Sequence, residues 1–183
     1  MQRIILSIAM LGFVGLFISC SSPAEMTEQQ DDSQKKISNY PSWYPQNEFV
    51  SDENKLFAYA TAIDRDSVAS IEKAKSWAVE ELKSSVSDKL EQIRSEAVVE
   101  YGSESGLDEA KFLMALRKVK NAVDPLVETG NTEANSAEGY ESIYGFAEVS
   151  VPKDELIKRI GKRLGGHEKA WKAMKDSKAF SDF

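Results

Sequence analysis

The chain has 183 residues, of which 23 are Lys or Arg and 30 are Asp or Glu, giving a formal net charge of −7. This acidic balance argues against nucleic acid as a partner, because phosphate binding needs a basic surface. Only one cysteine is present, which excludes an internal disulfide, so the folded part must rest on its core alone.

The chain begins with an apolar run over residues 4–18 that is interrupted only by one serine and two glycines. The run is shorter than the ~20 residues that span a bilayer and is typical of a signal-peptide core. Small Ser19 then precedes the lone Cys20, a pattern similar to the lipobox of bacterial lipoproteins. It predicts a signal peptide over residues 1–19, cleavage between Ser19 and Cys20, and lipidation at Cys20. The alternative is an uncleaved anchor helix with an incidental cysteine.

The next segment, residues 20–39, is rich in Ser, Glu, Gln, Asp and Lys. Such a composition cannot bury enough apolar surface to offset its ordering entropy, so we expect a flexible acylated tether. Ser21 follows the cysteine in place of the aspartate that resembles an inner-membrane retention signal. This favours a lipid-anchored protein of the outer membrane that faces the periplasm.

The folded domain is predicted to cover residues 40–183. It starts with an aromatic-proline segment, residues 40–45, that holds two prolines and three aromatics. Prolines keep such a segment extended while its rings seek a partner. One interpretation is a platform around Trp43 for a glycan or peptide. The other, which we favour, is a segment that packs across the sheet and seals the core.

Residues 56–63 alternate in a way that predicts the first strand. One face carries only alanines, and the other carries large side chains. The small face is expected to let a helix approach closely, whereas the large face must be covered by something else. The two faces hold Ala58, Ala60 and Ala62, and Phe57, Tyr59 and Ile63, respectively.

A long helix is predicted to follow, capped by Asp66 and Ser67 and ending near Val99. Its apolar positions recur every three or four residues and form one stripe. The stripe holds Ile71, Ala74, Ala78, Leu82, Val86, Leu90, Ile93 and Ala97. Its early alanines are placed to meet the alanine face of the strand.

The remaining elements complete the domain. A second helix over about 107–122 ends before Pro125, and a weak, polar edge strand over 126–137 leads to a turn near Gly139. Residues 143–151 alternate clearly and predict a strand. Further helices are expected from Pro152 onward. The apolar positions of these three helices are Phe112, Leu116, Val119 and Val123; Leu156, Ile157, Ile160 and Leu164; and Trp171 and Met174.

The order strand, long helix, helix, strand, strand, helix predicts an α+β fold with a small, mostly antiparallel three-stranded sheet. Basic residues outnumber acidic ones from Pro152 to the end. This basic tail either docks on the acidic body of the domain or contacts phosphates or acidic partners.

Taken together, these residues resemble the LPP-twenty family of bacterial lipoproteins, some of which are flagellar. The matching pieces are the lipobox, residues 41–44, residues 59–62, Ala74, Ala78 and Leu82 on the helix, and residues 143–147. The resemblance implies an outer-membrane lipoprotein without known catalytic residues, some members of which assemble around the flagellar motor. It carries over no functional residue.

No motif for catalysis or metal binding is found in the sequence. The only histidine, His167, has no second histidine or free cysteine with which to build a zinc site. The run from Gly102 to Gly106 has the glycine spacing of a nucleophile elbow, but Glu104 stands where the nucleophile belongs. We therefore predict no catalytic residue, no metal, no cofactor and no enzyme activity. A cell-wall hydrolase that uses two carboxylates is the remote alternative.

Two non-catalytic functions are left open. The first is a structural or assembly lipoprotein that self-associates or docks on an envelope or flagellar machine. The second is a binding module for peptidoglycan, lipid or a peptide, which would use Trp43 and the basic tail. The predicted interaction residues are Trp43, Phe57, Tyr59, Tyr144 and Phe146.

Overall fold

The computed structural model describes residues 40–136 and 141–183, and these belong to one compact unit. The signal peptide, Ser19, Cys20 and the tether lie outside the described residues, as does the turn expected near Gly139. Within them the predicted α+β class is confirmed.

Four strands form one sheet in the order β1-β2-β4-β3, and all neighbours are antiparallel. The strands are β1 (Phe49–Ser51), β2 (Lys55–Asp64), β3 (Glu128–Ser136) and β4 (Ile143–Pro152). The last three were predicted, including the polar strand at the sheet edge. The prediction of three strands was wrong by one, because β1 is only three residues long and too short to show an alternation.

The α-helices are α1 (Ser67–Tyr101), α2 (Ala110–Arg117), α3 (Lys153–Arg163) and α4 (Glu168–Asp176). The second helix is shorter than predicted, because α2 gives way to a 3-10 turn at Val119–Ala122. The same buried positions still face the core: Phe112, Leu116, Val119 and Val123. Pro152, expected in the first turn of a helix, instead ends β4 and precedes α3.

α1 is capped as the sequence predicted, since the Asp66 side chain accepts a hydrogen bond of 2.8 Å from the Ala69 backbone N–H. Its buried stripe begins at Ser70 rather than at Ile71, which is only half-buried. The reason is Gly145 of β4. A β-carbon at Gly145 would lie 2.2 Å from the carbonyl carbon of Ser70, so the helix backbone rests directly on the strand there.

The expected contact between the alanine face and the helix is confirmed. Ala62, Ala74 and Ala147 form one buried cluster between β2, α1 and β4. Ala58 and Ala60 join the larger core, which also receives side chains from all four α-helices. Small side chains let the helix approach closely, and the helix in turn shields this face of the sheet from water.

Helices long and apolar enough to cross a bilayer are not found among residues 40–136 and 141–183.

Candidate functional site

The face of the sheet that points away from α1 carries the aromatic residues; we call it the outer face. The pairing of β2 with β4 sets Ile63 opposite Tyr144, and Tyr59 opposite Glu148. Because side chains alternate along a strand, every second residue of both strands points outward. The outer face therefore consists of Phe57, Tyr59, Thr61 and Ile63 of β2 and Tyr144, Phe146, Glu148 and Ser150 of β4.

The aromatic-proline segment covers the centre of this face. The Tyr44 ring lies 5.4 Å from the Phe146 ring and 5.9 Å from the Tyr59 ring, both edge to face. Tyr40 adds a second edge contact with Phe146 at 5.5 Å. Phe146 is fully buried, although it lies on the face that points away from α1. Edge-to-face pairs of this kind contribute about 0.5–1.5 kcal/mol each beyond the area they bury.

Trp43 ties this segment to the edge of the sheet. Its indole N–H donates a hydrogen bond of 3.3 Å to the Glu133 carboxylate of β3, and its ring lies 5.9 Å from the Tyr44 ring. Glu133 stands opposite Phe146 in the register of β3 and β4. These are the contacts expected of a segment that covers the sheet. The indole N–H of Trp43 is already bonded to Glu133 of the same chain.

Burial also keeps the phenols on this face protonated to higher pH than usual. It raises the pKa of the Tyr44 hydroxyl, and it raises the pKa of Tyr59, which the neighbouring Glu148 carboxylate raises further. Both phenols are therefore neutral at neutral pH. They contribute apolar rings with a polar tip, which is the character of aromatic residues at protein interfaces.

Polar side chains frame the aromatic centre. Lys55 of β2 reaches across β4 to the Glu128 carboxylate of β3 at 2.6 Å. Asn131 donates a hydrogen bond of 2.9 Å to Glu148. Exposed pairs such as these add little stability, so their main effect is to surround the aromatic centre with a polar rim.

Part of the aromatic centre stays open to solvent. Tyr40 keeps 52% of its surface exposed and Ile63 keeps 48%. Tyr59, Tyr144 and Trp43 are half-buried. A partly exposed apolar surface with a polar rim is typical of a protein interface.

The structure brings three of the five predicted interaction residues together, because Trp43, Tyr59 and Phe146 all contact Tyr44. Phe57 lies two residues before Tyr59 in β2, and Tyr144 lies two residues before Phe146 in β4; both are half-buried on the same face. Tyr40 and Tyr44 were missed as site residues. The prolines and aromatic rings of residues 40–45 predicted that this segment covers the sheet. They did not predict which rings of the sheet Tyr40 and Tyr44 would contact.

Helices α3 and α4 of the basic tail pack on the domain through Leu156, Ile160 and Met174. The tail's lysines are mostly exposed, and Lys172 pairs with Asp176 of its own helix at 2.7 Å. In the described part of the chain, groups of three or more His, Cys, Asp or Glu that could hold a metal are not found. His167 instead lies edge to face on Phe112 at 5.7 Å.

Comparison with protein-family models, with curated proteins and with solved structures finds no match. The resemblance to the LPP-twenty family therefore stays a prediction from the residues that carry it.

Proposed function

We propose that this protein is a non-catalytic lipoprotein of the bacterial outer membrane, acylated at Cys20 and facing the periplasm, with a structural or assembly role. Its partner is a second copy of the chain or a protein of an envelope or flagellar machine. The lipobox-like Ser19-Cys20 and the resemblance to the LPP-twenty family support the anchor and the compartment.

The partly covered outer face supports the assembly role. The helices protect one face of the sheet, whereas in the described residues a six-residue segment covers the centre of the other. Its prolines had predicted an extended segment, but it is not extended throughout, because the Tyr44 N–H donates to the Pro41 carbonyl at 2.9 Å and closes a turn at Ser42 and Trp43. Tyr40 and Ile63 remain about half exposed there, beside half-buried Tyr144. A partner that covers these side chains would remove apolar surface from water and exclude water from the rim.

The anchor is tested by replacing Cys20 with serine in cells and labelling with radioactive palmitate. We expect the wild-type chain to incorporate label and to fractionate with the outer membrane, and Cys20→Ser to do neither. Ser21→Ala, which keeps the cysteine, is the matched control and should retain the label. Membrane association that persists unchanged in Cys20→Ser, with the signal segment uncleaved, would replace the lipid anchor with a helical one.

The assembly surface is tested by a photoreactive amino acid placed at position 63 of the full chain in intact cells. We expect a cross-linked product, either a dimer of this chain or an adduct with an envelope protein. Position 99 is the matched control, because Val99 is also an apolar side chain and is 87% exposed, but lies near the end of α1. No product from position 63, or equal products from both positions, would contradict the proposal.

A further inference from the structure

A second surface lies away from the sheet, between α2 and the end of α3. It is an open groove of about 400 Å³ lined by Lys111, Met114, Ala115, Lys118 and Arg163. We call it the basic groove. Three of its five lining residues are cations and none is a carboxylate.

The groove cations differ from those that pair with carboxylates, such as Lys83 with Asp124 and Arg94 with Asp108. In residues 40–136 and 141–183, none of the three groove cations takes part in an ion pair. Three cations that line one groove without a carboxylate repel one another. The groove therefore fits an anionic partner.

The local structure places these cations on one surface. α2 buries Phe112 and Leu116 in the core, which leaves Lys111 and Met114 of α2, and Lys118 directly after it, exposed. Arg163 donates a hydrogen bond of 3.1 Å to the Asn121 carbonyl in the 3-10 turn that follows, which brings its guanidinium to the same surface.

The exposed side chain of Met114 distinguishes between the possible anionic partners. It stands among the cations with 60% of its side chain exposed. A free phosphate or a peptide segment made only of acidic residues would gain little from this apolar side chain. A membrane surface can bind both the cations and the apolar side chain. The cations contact the headgroup phosphates, and the apolar side chain enters the boundary between headgroups and acyl chains.

We infer that the basic groove docks on a surface of anionic phospholipid and so fixes the orientation of the domain against the membrane. The contact is weak and reversible, because three cations and one apolar side chain do not make a permanent anchor. It does not depend on whether the N-terminal anchor is a lipid or a helix, since either one would hold the full chain near the same surface.

The experiment places the full chain in vesicles of phosphatidylcholine, with or without phosphatidylglycerol. An environment-sensitive fluorescent amino acid at position 110, one turn before Met114 on α2, reports contact with the lipid. We expect a blue shift only with phosphatidylglycerol, at low salt, and its loss at high salt. Each cation near an anionic surface strengthens docking about fivefold, so Lys111→Glu, Lys118→Glu and Arg163→Glu together should weaken it by at least 100-fold.

The matched control combines Arg65→Glu, Lys169→Glu and Lys178→Glu, which change the net charge equally at exposed positions outside the groove. It should retain the blue shift. Met114→Gln keeps every charge and should weaken docking by about fivefold, which tests the apolar contact without charge reversal. The inference is overturned by an unchanged probe on phosphatidylglycerol or by equal losses in the two triple variants. If poly-glutamate alters the probe and phosphatidylglycerol does not, the partner is an acidic protein and the inference is likewise overturned.

Discussion

The two faces of the sheet are built by opposite means. On the helix face, the small side chains of Ala62, Ala74 and Ala147 let α1 lie against β2 and β4. On the outer face, side chains are large, and rings fill the space beneath a six-residue cover. The side chains on the helix face are buried, whereas the outer face keeps Ile63 about half exposed.

This difference separates what stabilises the fold from what is available to a partner. Where a helix backbone contacts a strand, there is no room for a larger side chain, because close-packed interiors are not easily deformed. A short cover held by ring contacts and one side-chain hydrogen bond yields more easily. Substitutions on the helix face should therefore damage the whole fold, and those at the cover should act locally.

The largest effect is expected for Gly145→Ala. The new β-carbon would stand 2.2 Å from the Ser70 carbonyl carbon, and a backbone cannot move aside as the end of a side chain can. We expect a loss of about 4 kcal/mol or more in the free energy of unfolding, measured by urea denaturation. Gly166→Ala is the control, because nothing lies within 4 Å of a β-carbon there. Equal stabilities would mean that α1 does not rest on β4 as described.

Next in size is Phe146→Ala, which removes the fully buried ring of the outer face. We expect a loss of about 3 kcal/mol, since both Tyr40 and Tyr44 would lose their shared partner. Urea denaturation measures it. Tyr144→Ala on the same strand is only half-buried and should cost clearly less. A loss below about 1 kcal/mol for Phe146→Ala would show that the cover does not pack as a core element.

A smaller loss is expected for Tyr44→Ala, which opens the cover and leaves the helix face intact. We expect a loss of about 1–2 kcal/mol, because the Tyr44 ring is only half-buried. Hydrogen exchange should rise in residues 40–45 and in the centre of β4, but not in α1. A rise that spread evenly over the domain would contradict the separation of the two faces.

The smallest stability effect is expected at the hydrogen bond between Trp43 and Glu133. Glu133→Ala should cost about 0.5–1 kcal/mol, whereas Glu133→Gln keeps an acceptor oxygen and should cost less. The exchange rate of the Trp43 indole proton, measured by NMR, reports the bond directly. An equal rate in both variants and in the wild type would mean that this contact does not hold the cover.

The same cover should respond to alkaline pH. Burial raises the pKa of Tyr44 in the folded state, so the unfolded chain loses this proton first as the pH rises. The contribution of Tyr44 to stability is thus complete below its ordinary pKa of about 10 and declines above it. Tyr44→Phe should have a shallower alkaline decline, measured by urea denaturation across pH 8 to 11. Identical slopes would show that Tyr44 is not desolvated.

Alternation along the strands predicted both faces, because a period of two assigns each side chain to one side. It also predicted the meeting of Ala62 with Ala74. The alternation did not predict the contact of Ser70 with Gly145, because neither residue has a large apolar side chain. Only the distance between the two backbones reveals this contact. The basic groove was missed for a related reason, as Arg163 is far from Lys118 in sequence and only the packing of α3 brings them together.

The cover was foreseen from its prolines and rings, yet its target was not. No periodic signal predicts that Tyr44 will lie on Phe146, because contacts between an irregular segment and a sheet follow shape rather than spacing. Residues 1–39, which carry the prediction of lipidation at Cys20, lie outside the described residues. The anchor therefore rests on the sequence alone.

The most direct test of the account is the size of the complexes formed by the full chain, extracted from membranes in mild detergent and compared with Ile63→Asp. Ile63 is 48% exposed on the outer face, so a charge there should spare the fold and disrupt a partner contact. We predict that the wild-type chain runs as an assembly and that Ile63→Asp runs as a single chain, while Val99→Asp on α1 behaves as wild type. A wild-type chain that is already single, or an assembly that survives Ile63→Asp, would contradict the account.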